Sequence, residues 1–326
     1  MIVLTSAFVL LSAFSCGGGG KATGTNEQSE KVVVNVPQFD EDSAYLYVKN
    51  QVDFGPRVPK TKEHVACGKY LAGKLEAFGA KVTNQYADLI AYDGTLLKAR
   101  NIIGSYKPES KKRIALFAHW DTRPWADNDA DEKNHHTPIL GANDGASGVG
   151  ALLEIARLVN QQQPELGIDI IFLDAEDYGT PQFYEGKHKE EAWCLGSQYW
   201  SRNPHVQGYN ARFGILLDMV GGENSVFLKE GSSEEFAPDI NKKVWKAAKK
   251  AGYGKTFIDE RGDTITDDHL FINRLARIKT IDIIPNDPET GFPPTWHTIH
   301  DNMDHIDKNT LKAVGQTVLE VIYNEK

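Results

Sequence analysis

Arg113-Ile-Ala-Leu-Phe-Ala-His-Trp-Asp121 is the stretch on which the fold turns. Behind its leading arginine, 113–118 is a continuous apolar run, the mark of a strand covered on both faces. The run ends directly in His119 and Asp121. Three further runs read the same way: Ile168–Leu173, Phe213–Leu217 and Ile278–Ile284, the last broken by Pro285. Helices are expected between them. Residues 146–162 carry Val149, Leu152, Leu153, Ile155, Ala156 and Val159 at helical spacing. Asn241–Ala251 is a second helix ended by Gly252, and Asp307 is placed to cap a last one over 308–323. Towards the N-terminus, helices are expected over 43–51 and 64–78, the latter stopped by Gly79, with strands over 81–87 and 98–106. Val226-Phe-Leu228 is expected to pair nearby. This alternation predicts a single α/β domain, a three-layer sandwich whose central, mostly parallel, twisted sheet carries helices on both faces. No internal repeat or linker divides residues 40–326, which read as one catalytic domain.

The bulk numbers narrow the function. The chain has 326 residues, 40% of them hydrophobic, a formal net charge of -9 and a pI near 5.6. It carries no basic patch, so nucleic acid is not an expected partner. The acid excess mildly favours cationic ligands such as a free peptide amine. Residues 1–15 are apolar and read as a signal peptide; a spanning helix needs roughly 20 residues. Cys16, followed by Gly17 to Gly20, resembles the lipidation site of a bacterial lipoprotein. Residues 16–39 then form a lipidated, flexible tether. The expectation is a periplasmic protein whose only membrane contact is a lipid anchor on Cys16. Cys67 and Cys194 remain. An oxidising periplasm permits a bond between them, but a domain this large does not need one, and two buried free thiols are expected.

Chemistry-bearing residues gather at the expected strand ends. His119 and Asp121 point the same way if the chain stays extended, which suits a metal ligand and its orienting carboxylate. Asp144 begins a helix, where a capping role competes with a ligand role; Gly141, Gly145, Ala146, Ser147, Gly148 and Gly150 clear the space around it. Glu176 and Asp177 follow the second buried run, and two adjacent carboxylates there need positive charge nearby. A zinc ion removes that cost. Asp218 ends the third run, and Asp267-Asp268-His269 forms another acidic cluster. In Gly291-Phe-Pro-Pro-Thr-Trp-His-Thr298 the prolines stiffen a loop presenting Phe292, Trp296 and His297. His300 and His305 are expected at the surface, and His135-His136 in a solvated loop. Carboxylates and imidazoles are what zinc takes when its site stays open for chemistry. A non-catalytic binding domain would have lost ligands or the glutamate, and every one is present.

Ala118-His-Trp-Asp121, Ala142-Asn-Asp-Gly-Ala-Ser-Gly148, Asp174-Ala-Glu-Asp177, Leu216-Leu-Asp-Met219, Asp267-Asp-His269 and Trp296-His-Thr298, taken in order, resemble the glutaminyl cyclases. The likeness is to the bacterial lineage most similar to the animal enzymes, within the zinc aminopeptidase superfamily, and it covers about residues 40–326. It implies a zinc exopeptidase-like fold and one zinc per chain, held by Asp144, Asp177 and His297. It implies Glu176 as general acid and base, with Asp218 and Asp267 in the proton-handling network. Phe292 and Trp296 match pocket aromatics, with Trp193 a further candidate. His119 matches the histidine that binds a second zinc in aminopeptidases; Asp121, Asp268 and His269 are supporting or second-metal candidates. The implied reaction closes the N-terminal glutamine of a peptide or protein to pyroglutamate and releases ammonia, in a monomer. Two positions depart from the animal pattern. Asp177 stands where those enzymes have Glu, and Thr266 where they have Gln. A two-zinc aminopeptidase remains the alternative, because His119, Asp144, Asp177, Asp218 and His297 supply every ligand type it needs.

Overall fold

A computed structural model describes residues 34–286 and 291–326. The expected signal peptide and the tether as far as residue 33 lie outside the described residues. The tether boundary at residue 39 needs correcting. Phe39 is buried against Gly315 and donates its N–H to Gln316 Oε1 at 2.8 Å, so packing begins before residue 40.

Eight strands and eight helices follow among the described residues: α1 (Glu41–Val52), α2 (Lys62–Ala77), β1 (Lys81–Ile90), β2 (Leu96–Tyr106), β3 (Arg113–His119), α3 (Ala146–Gln161), β4 (Gly167–Leu173), α4 (Leu195–Arg202), β5 (Gly214–Leu217), β6 (Phe227–Lys229), α5 (Gly231–Phe236), α6 (Pro238–Lys250), β7 (Phe257–Arg261), α7 (Asp268–Phe271), β8 (Thr280–Ile283) and α8 (Lys308–Asn324). The main sheet runs β1-β2-β4-β3-β5-β8. β4, β3, β5 and β8 are parallel, while β1 and β2 join antiparallel at one edge. The larger core, under α1, α2, α3, α6 and α8, takes Leu116, Ile168, Ile170, Ile215 and Ile281 from one face of the sheet. The other face gives Phe117, Ile171 and Leu216 to a smaller core with Trp200 of α4. Asp169, in the middle of buried β4, is satisfied by Ser105 Oγ, Tyr209 Oη and the Arg113 guanidinium, as a buried charge must be.

The expected central runs all become strands, and Asp307 caps α8 through its side chain. Val226-Phe-Leu228 differs. Its strand β6 pairs with β7, which has no apolar alternation, in a separate two-stranded sheet. Neither α4 nor α5 was anticipated; both are short.

After β3 the chain crosses to β4 on one side, then returns to β5 on the other. That reversal opens a crevice outside the strand carboxyl ends, where ligands gather in open α/β sheets. Gly148 lets α3 lie flat on the end of β5: a Cβ there would stand 2.2 Å from the Leu217 carbonyl oxygen. Gly148→Ala is therefore expected to lower the free energy of unfolding by about 1–3 kcal/mol, measured by urea denaturation; an unchanged midpoint would mean that the helix can move aside.

Candidate active site

Each turn leaving the crevice end of the sheet carries one piece of the site. His119 closes β3, Glu176 and Asp177 follow β4, and Asp218 follows β5. Ala175 and Met219 in these turns, and His297 itself, hold φ at +54°, +49° and +55°. Such angles are uncommon outside glycine and collect at functional sites, where surrounding structure must hold them.

Asp144, Asp177 and His297 are all buried, and each brings a donor atom within 4.8 Å of the others. His297 Nε2 lies 3.2 Å from Asp177 Oδ1 and 3.5 Å from Asp144 Oδ2. Burial, then the Arg123 guanidinium, pushes the His297 imidazole well below its usual range, so it stays neutral, as a metal requires. Burial and the nearby Asp144 push Asp177 up, and Asp177 Oδ2 has no hydrogen-bond partner among the described residues. A buried carboxylate with one unpartnered oxygen, beside a second carboxylate and a neutral imidazole, fits a bound divalent cation. The set of two carboxylates and one imidazole suits zinc with an open fourth position.

The capping role weighed for Asp144 is not what forms. Gly145 occupies the N-cap of α3, and no side chain caps it. Asp144 turns inward instead, with Oδ1 2.9 Å from His119 Nε2. His119 Nε2 also lies 3.3 Å from Asp218 Oδ1. The imidazole thus bridges the two carboxylates. Gly145 makes room: a Cβ there would stand 2.4 Å from His119 Nε2. Burial disfavours a charged His119, but the carboxylates of Asp121, Asp144 and Asp218 outweigh it and hold the imidazole well above its usual range. Burial raises Asp218 to about 7.

Asp121 serves two neighbours: its Oδ1 lies 3.6 Å from His119 Nδ1. Its oxygens accept the backbone N–H groups of Glu176 and Asp177 at 3.1 and 3.2 Å, fixing that turn. Glu176 is buried and pushed well above the ordinary carboxylate range by burial, with Asp177 adding to the rise. Asp267 accepts the Asp268 N–H, and its Oδ2 is free of partners among the described residues, as are both Asp268 carboxylate oxygens. His269 faces away, its Nε2 2.8 Å from Glu230 Oε2.

The aromatic residues stand where expected. Trp296 stacks on His297 with ring centroids 3.8 Å apart, and Trp193 lies parallel to the same imidazole at 6.2 Å. Phe292 packs on Trp296 at 4.5 Å. With Asp144, Glu176, Asp177, Asp218, Asp267 and Thr266 they line a cleft of about 390 Å³. His136 and His300 are exposed, while His135 and His305 are partly covered.

Sequence reasoning gave four supporting residues no role at the site. Asp301 accepts the N–H groups of Asn143 and Asp144 at 2.7 and 3.1 Å, placing the Asp144 turn. Arg123 is buried, 3.4 Å from Asp177 Oδ1, paired with Asp127, and 4.7 Å from the Trp193 ring. Glu230 accepts from His269 and from the N–H groups of Ser232, Ser233 and Ile265. Cys194 packs beside Glu176; it and Cys67 are free, buried thiols, as expected. A single Arg, Asp, Glu or Cys in polar sequence has no spacing to mark it. Asp301 alone hinted at itself, four residues beyond His297.

Residues 101–322 match the model for Peptidase family M28. The chain belongs to this family. It is 99% identical to a Bacteroides thetaiotaomicron glutaminyl cyclase solved bound to N-acetylhistamine, with a TM-score of 0.89, covering 90% of this chain and 100% of that one. It is 26% identical over 265 residues to the glutaminyl-peptide cyclotransferase of Bos taurus, covering 69% of this chain and 65% of that protein. It is 27% identical over 237 residues to Aminopeptidase YwaD of Bacillus subtilis (strain 168), covering 69% of this chain and 44% of that protein. The chain thus spans less than two thirds of the length of these two curated relatives.

Burial works to raise Glu230, but the His269 hydrogen bond and the other donors prevail and hold it at about 2, against an ordinary 4.5. A depressed carboxylate stabilises the fold fully above its unfolded pKa and loses that effect as pH falls through the folded one. Glu230→Gln should therefore flatten the drop in melting temperature between about pH 4.5 and 2; an acid limb parallel to wild type would show that Glu230 does not contribute to it.

Proposed function

We propose that this M28 chain is a zinc-dependent glutaminyl-peptide cyclotransferase, closing an N-terminal glutamine to pyroglutamate with release of ammonia. The observation that carries the reading is 99% identity to a glutaminyl cyclase over the whole of that chain. The site supports it: three buried ligands sit together, Glu176 lies outside that set, and aromatic rings close the cleft.

The attack is intramolecular, so holding the folded-back conformer supplies much of the acceleration. Trp193, Trp296 and Phe292 wall the cleft, restrict that conformer and exclude water, which would otherwise hydrolyse the same amide. The substrate α-amine has an ordinary pKa of about 7.7–8.0 and is partly neutral near pH 7. Glu176, raised by burial, takes the proton from the attacking nitrogen and returns one to the departing nitrogen. Asp218 and Asp267 line the same cleft and stand ready to hold the leaving group. Asp144, Asp177 and His297 would hold a zinc ion, which when bound would supply Lewis acidity for the carboxamide. We assign one zinc per chain, because His119 already spans Asp144 and Asp218 where a second would sit.

A second reading, a two-zinc aminopeptidase, draws on that same group, since donor atoms of His119, Asp144 and Asp218 also lie within 4.8 Å of one another. The products separate the two. A Gln-initiated peptide should yield ammonia and a pyroglutamyl peptide, abolished by chelation, with one zinc per chain by elemental analysis; free glutamine and two zinc ions would establish the peptidase. Glu176→Gln should keep zinc and lose turnover, whereas Asp177→Ala should lose both.

We further propose a monomeric domain tethered in the bacterial periplasm through a lipid on Cys16. The apolar residues 1–15 and the glycine run after Cys16 support this. No helix among the described residues is long and apolar enough to cross a membrane. Cys16→Ser should move the protein from the membrane fraction to the soluble periplasmic fraction; an unchanged distribution would reject the anchor.

A further inference from the structure

Cys194 touches Glu176 and has no part in the reaction as described. It is fully buried, immediately precedes α4 and holds φ at +57°. A non-glycine residue is uncommon at that angle. Its N–H donates to the Glu176 carbonyl at 3.0 Å, and the next N–H, of Leu195, donates to the Ala175 carbonyl at 3.0 Å. These two bonds staple the turn after β4 to the start of α4. The Cys194 side chain reaches the same glutamate, with Sγ 3.2 Å from Glu176 Oε1. Burial, and then the Glu176 carboxylate, pushes the thiol well above its ordinary range, so it keeps its proton and can donate. Glu176 Oε2 has no hydrogen bond among the described residues; His119 Nδ1, the nearest basic nitrogen, is 4.0 Å away.

We propose that Cys194 is a positioning residue for Glu176, its S–H hydrogen bond fixing Oε1 and leaving Oε2 to receive the substrate proton. The inference rests on Glu176 being the general base. A thiol suits the task because it is a weak donor: it orients the carboxylate while drawing little electron density from it. A hydroxyl supplies the same kind of bond, so serine is the conservative replacement, and alanine removes the donor.

The test compares the full zinc-loaded chain as wild type, Cys194→Ala, Cys194→Ser and Glu176→Gln. Losing one weak orienting bond in Cys194→Ala should lower kcat by about threefold to tenfold, with KM and bound zinc unchanged. Cys194→Ser should recover most of that loss. The infrared S–H band that disappears in Cys194→Ala should shift in Glu176→Gln, because its acceptor has lost its charge. Wild-type kcat in Cys194→Ala, with Glu176→Gln inactive, would overturn the inference and leave the general-base reading intact. Equal losses in the alanine and serine variants, tracking a fall in melting temperature, would also overturn it by making the residue structural. Turnover in Glu176→Gln would remove the general base itself, and the inference with it.

Discussion

Asp144 and Asp177 are buried beside each other at the mouth of the sheet, and like charges out of water cannot remain so without positive charge between them. The rest of the site follows from that constraint. Arg123 supplies a fixed guanidinium at the back of Asp177, and His119 supplies an imidazole between Asp144 and Asp218. His297, kept neutral by burial and by Arg123, completes a place for a cation. The cleft above this group is lined by Trp193, Phe292 and Trp296 as well as by the acids.

A second tier of acids works through the backbone. Asp121 accepts from Glu176 and Asp177, Asp301 from Asn143 and Asp144, and Asp174 from Arg100 and Ala175. Apart from the Arg100 N–H, which lies in β2, these carboxylates satisfy N–H groups in irregular turns, where no strand or helix partner is available. Charge-assisted bonds of this kind are about twice as strong as neutral ones. Those at Ala175, Glu176 and Asp177 offset the cost of the left-handed residue at Ala175. Loops are ordinarily the soft part of a fold; here they are pinned from below, which is how side chains from four separate turns meet at one point.

The legible parts of the sequence were those with strong local patterns. Four apolar runs became the parallel strands, and the helices that pack on them kept their apolar spacing. Glu176, Asp177 and Asp218 were marked because a charge directly after a buried run is conspicuous. The small β6–β7 sheet was not legible, because β7 reads Phe-Ile-Asp-Glu-Arg and is half exposed. Asp144 was marked as a ligand candidate by the small residues around it, with a cap as the competing role, and only the inward turn of its side chain tells against the cap. Asp121 was marked as a partner of His119, but its hold on the Glu176 and Asp177 N–H groups had no sequence signal.

Local order, then, was written in the sequence: strand ends that terminate in acids and imidazoles, glycines where backbones must approach, and aromatics in a stiff loop. The depth of the hydrophobic runs dictates those elements whatever lies beyond them. Only the tertiary structure decided which acids face one another and which turn away to hold backbone. It alone brought Asp301, Glu230 and Cys194 to Asn143, His269 and Glu176, which lie 158, 39 and 18 positions away along the chain. The physical reason is that a hydrogen bond or ion pair depends on distance and angle across space, and neither is encoded in separation along the sequence.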